Sequence, residues 1–280
     1  MGGVHYVNGA FVGEGEAVVS ALDLGVLRGY GVFDYAPTYA GKPFHLEKHL
    51  RRLQGSAEAM GMELPLELEE IEAVCTELLA RNGEVDGGIR LIVTGGVSRE
   101  DLVPEGKPNL TILFQPRDPC PERWSVEGMR VATTRDMRIY PEIKTTSYLP
   151  AIQAMRKGAD DALYVNAQDE ILEGTTSNAF FFQGDTLVTP DAGILKGVTR
   201  EIFLELAKGE FDLELRPVKL NELDRCDEVF LTSSNKEGMP VVQIDGQTVG
   251  GGRPGPRTSH LVAKFRRYKV EYLNKAETAV

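Results

Sequence analysis

The stretch Glu173-Gly174-Thr175-Thr176-Ser177-Asn178 lies between two apolar runs, Ala162–Val165 and Ala179–Phe182. It holds one acid, one glycine and three hydroxyl side chains, with strand signals on both sides. Glycine admits a close approach of backbone to a ligand, and Ser and Thr offer hydrogen bonds to a polar or phosphorylated group. Alone, the stretch reads more simply as a hairpin connection with hydroxyl-capped turns. What surrounds it shifts that balance: a lysine upstream, Lys144, and a second glycine loop downstream, Gly193–Thr199.

Downstream, Gly193-Ile194-Leu195-Lys196-Gly197-Val198-Thr199 leads into a helix expected over Arg200–Lys208, with Thr199 as its N-cap. Free N–H groups and the positive dipole end at such a terminus suit a phosphate. Strands are expected at Glu228–Thr232 and Val241–Ile244, separated by the turn Ser233-Ser234-Asn235-Lys236, with a closing helix from Arg257 to Leu273. Upstream, Met129–Thr134 reads as a strand and Ala151–Gly158 as a short helix.

In the N-terminal half, Asn8-Gly9 between Val4–Val7 and Ala10–Val12 signals a type I′ hairpin. The glycines of Arg28-Gly29-Tyr30-Gly31 suggest a loop presenting Arg28, followed by a strand over Val32–Tyr39. Leu46, Leu50, Leu53, Ala57 and Met60 recur at helical spacing, with His49 and Arg52 flanking the stripe. Leu66–Arg81 repeats the pattern and Asn82-Gly83 ends it. In Gly88–Thr94 the residues Ile89, Leu91 and Val93 share one strand face and Arg90 lies on the other. An Arg buried there requires an anion, internal or bound. Asn109–Phe114 is a further strand. Pro116, Pro119 and Pro121 place a linker at residues 116–123, between a domain over 1–115 and a larger one over 124–280. The class is α/β (α+β).

Composition narrows the function. Of 280 residues, 42% are hydrophobic and 26% charged, an ordinary globular mixture. The net charge of −11 comes without a basic stripe, which argues against nucleic acid or an anionic membrane as partner. No apolar run approaches the roughly 20 residues that span a bilayer. The three cysteines are widely spaced and suggest a reducing, cytoplasmic setting. The histidines supply no HExxH pattern, so no metal is expected.

Taken together, His49-Leu50-Arg51-Arg52-Leu53, Lys144, the Glu173–Asn178 stretch, Gly193–Arg200 and Thr232-Ser233-Ser234-Asn235 occur in an order that resembles the fold-type IV pyridoxal-phosphate enzymes. That group includes D-amino-acid aminotransferases, branched-chain aminotransferases and aminodeoxychorismate lyases, and the resemblance covers nearly the whole chain. It implies two domains, the smaller N-terminal and the larger C-terminal, with pyridoxal 5′-phosphate as cofactor. Lys144 would bind the cofactor covalently and shuttle protons. Glu173 would face the pyridine nitrogen, and Arg52 would grip the phosphate bidentately. Val198, Thr199 and Ser234 would complete the phosphate cradle, with Ser177 and Asn178 beside the cofactor. Tyr148 would meet the phenolic oxygen, one residue closer to the lysine than in branched-chain enzymes.

The details of Gly197–Thr199 and Thr175–Asn178 look closer to D-amino-acid aminotransferases. The Arg-His-x-His carboxylate trap of the bacillus enzymes has no counterpart in Val85–Gly96 or Ser98–Pro104. Three cations are expected to replace it: Arg28, Arg90 and Lys236. In this family the loop carrying Arg28 reaches the neighbouring subunit of a homodimer. The expectation is transfer of an amino group from a D-amino acid to a 2-oxo acid such as 2-oxoglutarate. The alternatives are a branched-chain L-aminotransferase, then an aminodeoxychorismate lyase or (R)-amine transaminase. A non-catalytic dimer binding a phosphorylated small molecule is a reading of a different class.

Overall fold

The computed structural model describes residues 3–278 apart from Glu84, Asp101 and Lys157. The chain divides into two units, Met1–Asp118 with Ile143–Ser147, and Pro119–Glu142 with Tyr148–Val280.

The first unit is an antiparallel sheet with helices packed on it. Strands β1 (Val4–Val7) and β2 (Ala10–Gly13) form the N-terminal hairpin; Asn8 and Gly9 between them have φ of 44° and 98°, as a type I′ turn needs. A short helix α1 (Leu24–Arg28) follows, then β3 (Gly31–Tyr39), β4 (Lys42–Pro43), α2 (Leu46–Ala59), α3 (Leu68–Asn82), β5 (Gly87–Thr94) and β6 (Asn109–Pro116). The sheet order is β2-β1-β6-β5-β3-β4. The α2 stripe of Leu46, Leu50, Leu53 and Ala57 packs on Val32 and Ala36 of β3 and on Ile89, Leu91 and Val93 of β5. The sheet therefore has one helix-covered face, and Arg90 and Ile92 lie half-buried on the other. Arg28 ends α1 instead of standing in an open loop, because Asp23 caps the helix through Gly25 N–H and Gly29 closes it with φ of 67°.

The segment Ile143–Ser147 belongs to this first unit, within sequence expected to lie wholly in the second domain. Strand β4 pairs only with Thr38 and Tyr39, so the Gly31–Phe33 end of β3 would otherwise be an unpaired edge. Ile143–Ser147 covers it: Phe33 N–H donates to Lys144 O at 2.9 Å, and Thr146 N–H to Gly31 O at 2.9 Å. Backbone pairing across more than 100 residues of sequence thus places Lys144.

The second unit opens with α4 (Glu122–Val126), β7 (Met129–Thr134), α5 (Leu149–Met155), β8 (Asp161–Val165), β9 (Glu170–Gly174), β10 (Asn178–Gln183) and β11 (Thr186–Thr189). It continues with α6 (Val198–Ala207), β12 (Asp212–Leu215), β13 (Val218–Lys219), β14 (Glu228–Ser233), β15 (Glu237–Ile244), β16 (Gln247–Thr248) and α7 (Pro256–Thr278). The main sheet runs β12-β11-β10-β14-β15-β7-β8-β9-β13, and a further β9–β10 pairing closes β10, β14, β15, β7, β8 and β9 into a ring. One face buries Val131, Leu163, Ile171, Phe181, Val229 and Leu231. An aromatic layer, with Phe180 stacked on Phe230 and Phe203 on Phe265, joins the sheet to α6 and α7.

Candidate functional site

In the first unit, alternation along β3 separates two jobs. Asp34 faces α2, and Phe33 and Tyr35 face the opposite side beside Arg90, which is paired with Tyr35 in the β3–β5 register. Asp34 is fully buried and meets two residues one helical turn apart on α2. Arg52 approaches it bidentately, Nε to Oδ2 and Nη2 to Oδ1, both at 2.8 Å. His49 Nδ1 lies 2.7 Å from Oδ1 and donates, since a carboxylate only accepts. Burial alone would raise the Asp34 pKa, but the Arg52 guanidinium and His49 outweigh it and hold the carboxyl far below its usual range. Burial pushes the His49 pKa down against the pull of Asp34, and the charges of Arg52 and Lys144 push the same way. Arg52, expected only to grip a phosphate, is thus oriented from behind by an acid that the sequence reading did not single out.

These shifts have a measurable consequence. Both folded values lie below the unfolded ones, so both groups bind fewer protons in the folded chain and stability falls with acid. The His49 contribution is complete above about pH 6.5, and the Asp34 contribution above about pH 4; each is lost as pH drops through its depressed folded value. Urea midpoints measured from pH 8 to pH 4 should fall steadily below about pH 6.5. In His49→Gln the part of that slope above about pH 4 should flatten; an unchanged slope would contradict the assignment.

Lys144 is half-buried on the Phe33 side of the sheet. Its N–H donates to Ser56 Oγ at 3.3 Å, and its Nζ lies 4.6 Å from the centre of the Phe33 ring. The Arg90 guanidinium lies 5.3 Å from the same ring and 5.5 Å from that of Tyr35. Gln115 accepts from Arg90 Nε at 2.8 Å, so this Arg has a neutral partner and a half-exposed face. Arg28 is exposed, with Nη1 donating to Leu27 O. Phe33, Tyr35 and Gln115 escaped the sequence reading, although the β3–β5 alternation could have found the first two.

The second unit holds the other expected residues. Glu173, next to last in β9, pairs with Asn178, the first residue of β10. Arg138 donates to its Oε1, while Leu195 N–H at 3.0 Å and Asn178 Nδ2 at 3.3 Å serve Oε2. Arg138 and Glu173 are both buried. Asn178 Nδ2 also donates to Leu195 O at 2.8 Å, so Asn178 braces the acid and the Gly193–Gly197 loop together. That loop needs glycine at 197, because a Cβ there would lie 2.1 Å from Asn178 Oδ1.

The hydroxyls of the 175–177 turn are organised by a second buried acid, Asp161. Thr175 Oγ1 donates to it at 2.6 Å, Ser177 Oγ at 3.0 Å, and Lys236 Nζ completes the set. Burial would raise the Asp161 pKa, but Lys236 and these donors bring it below its ordinary value. Lys236, expected at a substrate carboxylate, donates to Asp161 and, at 2.8 Å, to Thr176 Oγ1. Ser177, expected beside the cofactor, gives its hydroxyl proton to Asp161.

Helix α6 starts at Val198 with Gly197 as N-cap and no side-chain capping bond. Thr199, expected as the cap, is the second helical residue, and it is buried with Val198. The N-cap of this helix therefore offers its first N–H groups no side-chain acceptor, an arrangement that suits a bound phosphate. Ser234 is half-buried in the β14–β15 turn, and Tyr148 is half-buried at the start of α5. Tyr164 Oη is buried without a hydrogen-bond partner. An uncapped buried helix end, an acid braced by Arg138 and an unanswered hydroxyl fit a phosphorylated, ring-bearing cofactor. Among the described residues no cluster of His, Cys, Asp and Glu could hold a metal ion, and no helix is long and apolar enough to cross a membrane. His45 and His49, four residues apart, turn to different acids, Glu47 and Asp34.

Comparison with known proteins agrees with this chemistry. A putative branched-chain-amino-acid aminotransferase of Methanocaldococcus jannaschii is 35% identical over 281 residues, covering 95% of this chain and 96% of that one. A D-alanine aminotransferase of Staphylococcus haemolyticus is 31% identical, covering 94% and 96%. The branched-chain amino acid aminotransferase from T.th., solved with pyridoxamine 5′-phosphate, superposes with a TM-score of 0.87 at 27% identity, covering 95% and 93%. The family model for amino-transferase class IV matches residues 31–244. The chain therefore belongs to the class IV aminotransferases, enzymes of fold type IV that depend on pyridoxal phosphate.

Proposed function

We propose that this aminotransferase is a D-amino-acid transaminase whose substrate carboxylate is held by Arg90 and, across a homodimer, by Arg28. The observation that carries this reading is the Phe33 ring, which has Lys144 Nζ at 4.6 Å and the Arg90 guanidinium at 5.3 Å. An amino acid lying along that face can place its carboxylate on Arg90 and its Cα–H toward Lys144. Gln115 holds Arg90 Nε, which fixes the orientation of the guanidinium before substrate arrives. The exposed apolar residues Val18, Val19, Leu22, Val26 and Leu27 near Arg28 support a covering second copy. The D-alanine aminotransferases among its relatives support the stereochemical choice. Three free thiols support a reducing, cytoplasmic setting.

Pyridoxal phosphate, when bound, supplies the carrier for the amino group and an electron-withdrawing ring. In the first unit, Lys144 takes the proton from the substrate Cα and returns it, and Arg52, oriented by Asp34, meets phosphate oxygens. In the second, Glu173 keeps a carboxylate for the ring nitrogen, with Arg138 holding it in place. The end of α6 and the Ser234 hydroxyl serve the phosphate, and Tyr148 the phenolic oxygen. The cycle is ping-pong: the D-amino acid leaves as a 2-oxo acid before a second 2-oxo acid, such as 2-oxoglutarate, enters and takes the amino group. A branched-chain L-amino-acid aminotransferase is the second reading, favoured by the M. jannaschii relative.

The deciding experiment mixes holoenzyme with D-alanine or D-glutamate, and separately with L-alanine, L-glutamate and L-leucine, without a 2-oxo acid. Loss of the visible cofactor band with the D-forms alone is expected; loss with L-leucine alone would establish the second reading instead. Arg90→Leu should raise KM for amino acids about 10- to 100-fold, the worth of a hydrogen-bonded charge pair. Primary amines without a carboxylate should be spared. Equal losses for both substrate types would remove Arg90 from the carboxylate site.

A further inference from the structure

Buried polar atoms in folded proteins have hydrogen-bond partners, and each exception asks for a reason. Tyr164 is such an exception. It lies in β8 and is 1% exposed, yet its Oη has no partner. Its strand neighbours Leu163 and Val165 enter the apolar core, so alternation turns Tyr164 to the other side of β8, while α5 also packs on this strand. Strand β8 pairs with β9, which carries Glu173, and with β7, which leads toward Arg138. The charges that act on the Tyr164 hydroxyl are those of Arg138, Glu173, Tyr148 and Asp161. Arg138 and Glu173 form the buried ion pair described above, Asp161 anchors the 175–177 turn, and Tyr148 opens α5; the Arg138–Glu173 pair with its surroundings is the Glu173 half-site.

We propose that the Tyr164 hydroxyl is a cofactor-contacting group, donating a hydrogen bond to an oxygen of bound pyridoxal phosphate in the Glu173 half-site. Burial pushes its pKa up to about 12, so the group keeps its proton and acts as a donor throughout the working range. The proposal explains a cost that the fold otherwise carries without return: an unanswered hydroxyl is unfavourable when the site is empty and favourable once an acceptor enters. It rests on the assignment of the Glu173 half-site to the cofactor. Thr258 offers an internal comparison. It is equally buried, its Oγ1 also lacks a partner, and it lies at the start of α7.

The test compares wild type, Tyr164→Phe, Thr258→Val and Glu173→Gln, each as holoenzyme and as apoenzyme stripped of cofactor. The readouts are Tm, the pyridoxal phosphate dissociation constant and the visible absorption maximum. Tyr164→Phe should raise the Tm of the apoenzyme, weaken cofactor binding about tenfold, the worth of one hydrogen bond, and shift the absorption maximum. Thr258→Val should raise the Tm of both forms alike and leave cofactor affinity unchanged. If Tyr164→Phe behaves like Thr258→Val, with affinity and spectrum unaltered, the proposal is overturned. If Glu173→Gln also leaves both unaltered, the half-site assignment falls with it. If Glu173→Gln alone perturbs them, the half-site stands and only the role of Tyr164 is lost.

Discussion

Lys144→Ala is expected to slow transamination by about 10³-fold or more, the scale of losing a positioned acid–base group together with a covalent anchor. The loss should be chemical, because the surroundings of Lys144 are fixed by backbone contacts that alanine keeps. Its carbonyl accepts from Phe33 N–H at 2.9 Å and its N–H donates to Ser56 Oγ at 3.3 Å, with Thr145 bridged to Val32. What alanine removes is the amine above Phe33. Lys144→Arg should fail nearly as badly. A guanidinium retains a cation on that ring but cannot give up a proton near neutral pH, and it cannot replace the amine as a nucleophile. Single-turnover decay of the cofactor band with substrate measures the effect. Dialysis should also strip cofactor from the alanine variant more readily than from wild type. A rate within about tenfold of wild type would exclude Lys144 from proton transfer.

The largest stability effect should come from Glu173→Ala. Arg138 and Glu173 are 5% and 6% exposed, so water can do little to replace either partner. Truncation would leave a buried guanidinium uncompensated, and would also take the acceptor from Leu195 N–H and Asn178 Nδ2. Breaking one side of a buried ion pair costs about 3–5 kcal/mol, and the orphaned donors oppose recovery. Urea unfolding of the apoenzyme isolates this structural term from cofactor binding. A loss below about 1 kcal/mol, the range of an exposed pair, would mean that Arg138 finds another partner or reaches solvent. Glu173→Gln should lose less, because one amide oxygen still accepts. The two variants together separate the worth of the ion pair from that of the hydrogen bonds around it.

Several structural features are legible in the amino-acid sequence. The α2 stripe, the Ile89–Leu91–Val93 face and the Asn8-Gly9 turn are local patterns, and each appears at its expected place with small shifts at the ends. The α6 boundary moved by two residues because Gly197, free of any Cβ, can lie against Asn178, so the helix begins before Thr199. Membership of the class IV aminotransferases was readable from the order of the motifs around Arg52, Lys144, Glu173 and Gly193–Thr199.

Partner choice was not legible. Asp34, Arg138 and Asp161 are ordinary charged residues in sequence, and nothing nearby announces that they will hold Arg52, Glu173 and Lys236. The same holds for Ile143–Ser147, whose membership of the first unit follows from an open edge of β3 rather than from any property of its own residues. The amino-acid sequence by itself determined the elements, the faces they bury and the residue types that can carry aminotransferase chemistry, because these depend on periodicity and side-chain character within a few turns or one strand. Only the tertiary structure decided which buried charge answers which. Burying a charge is tolerated where a counter-charge arrives, and the residue that arrives here comes from 18 to 75 positions away, set by how strands and helices close on one another.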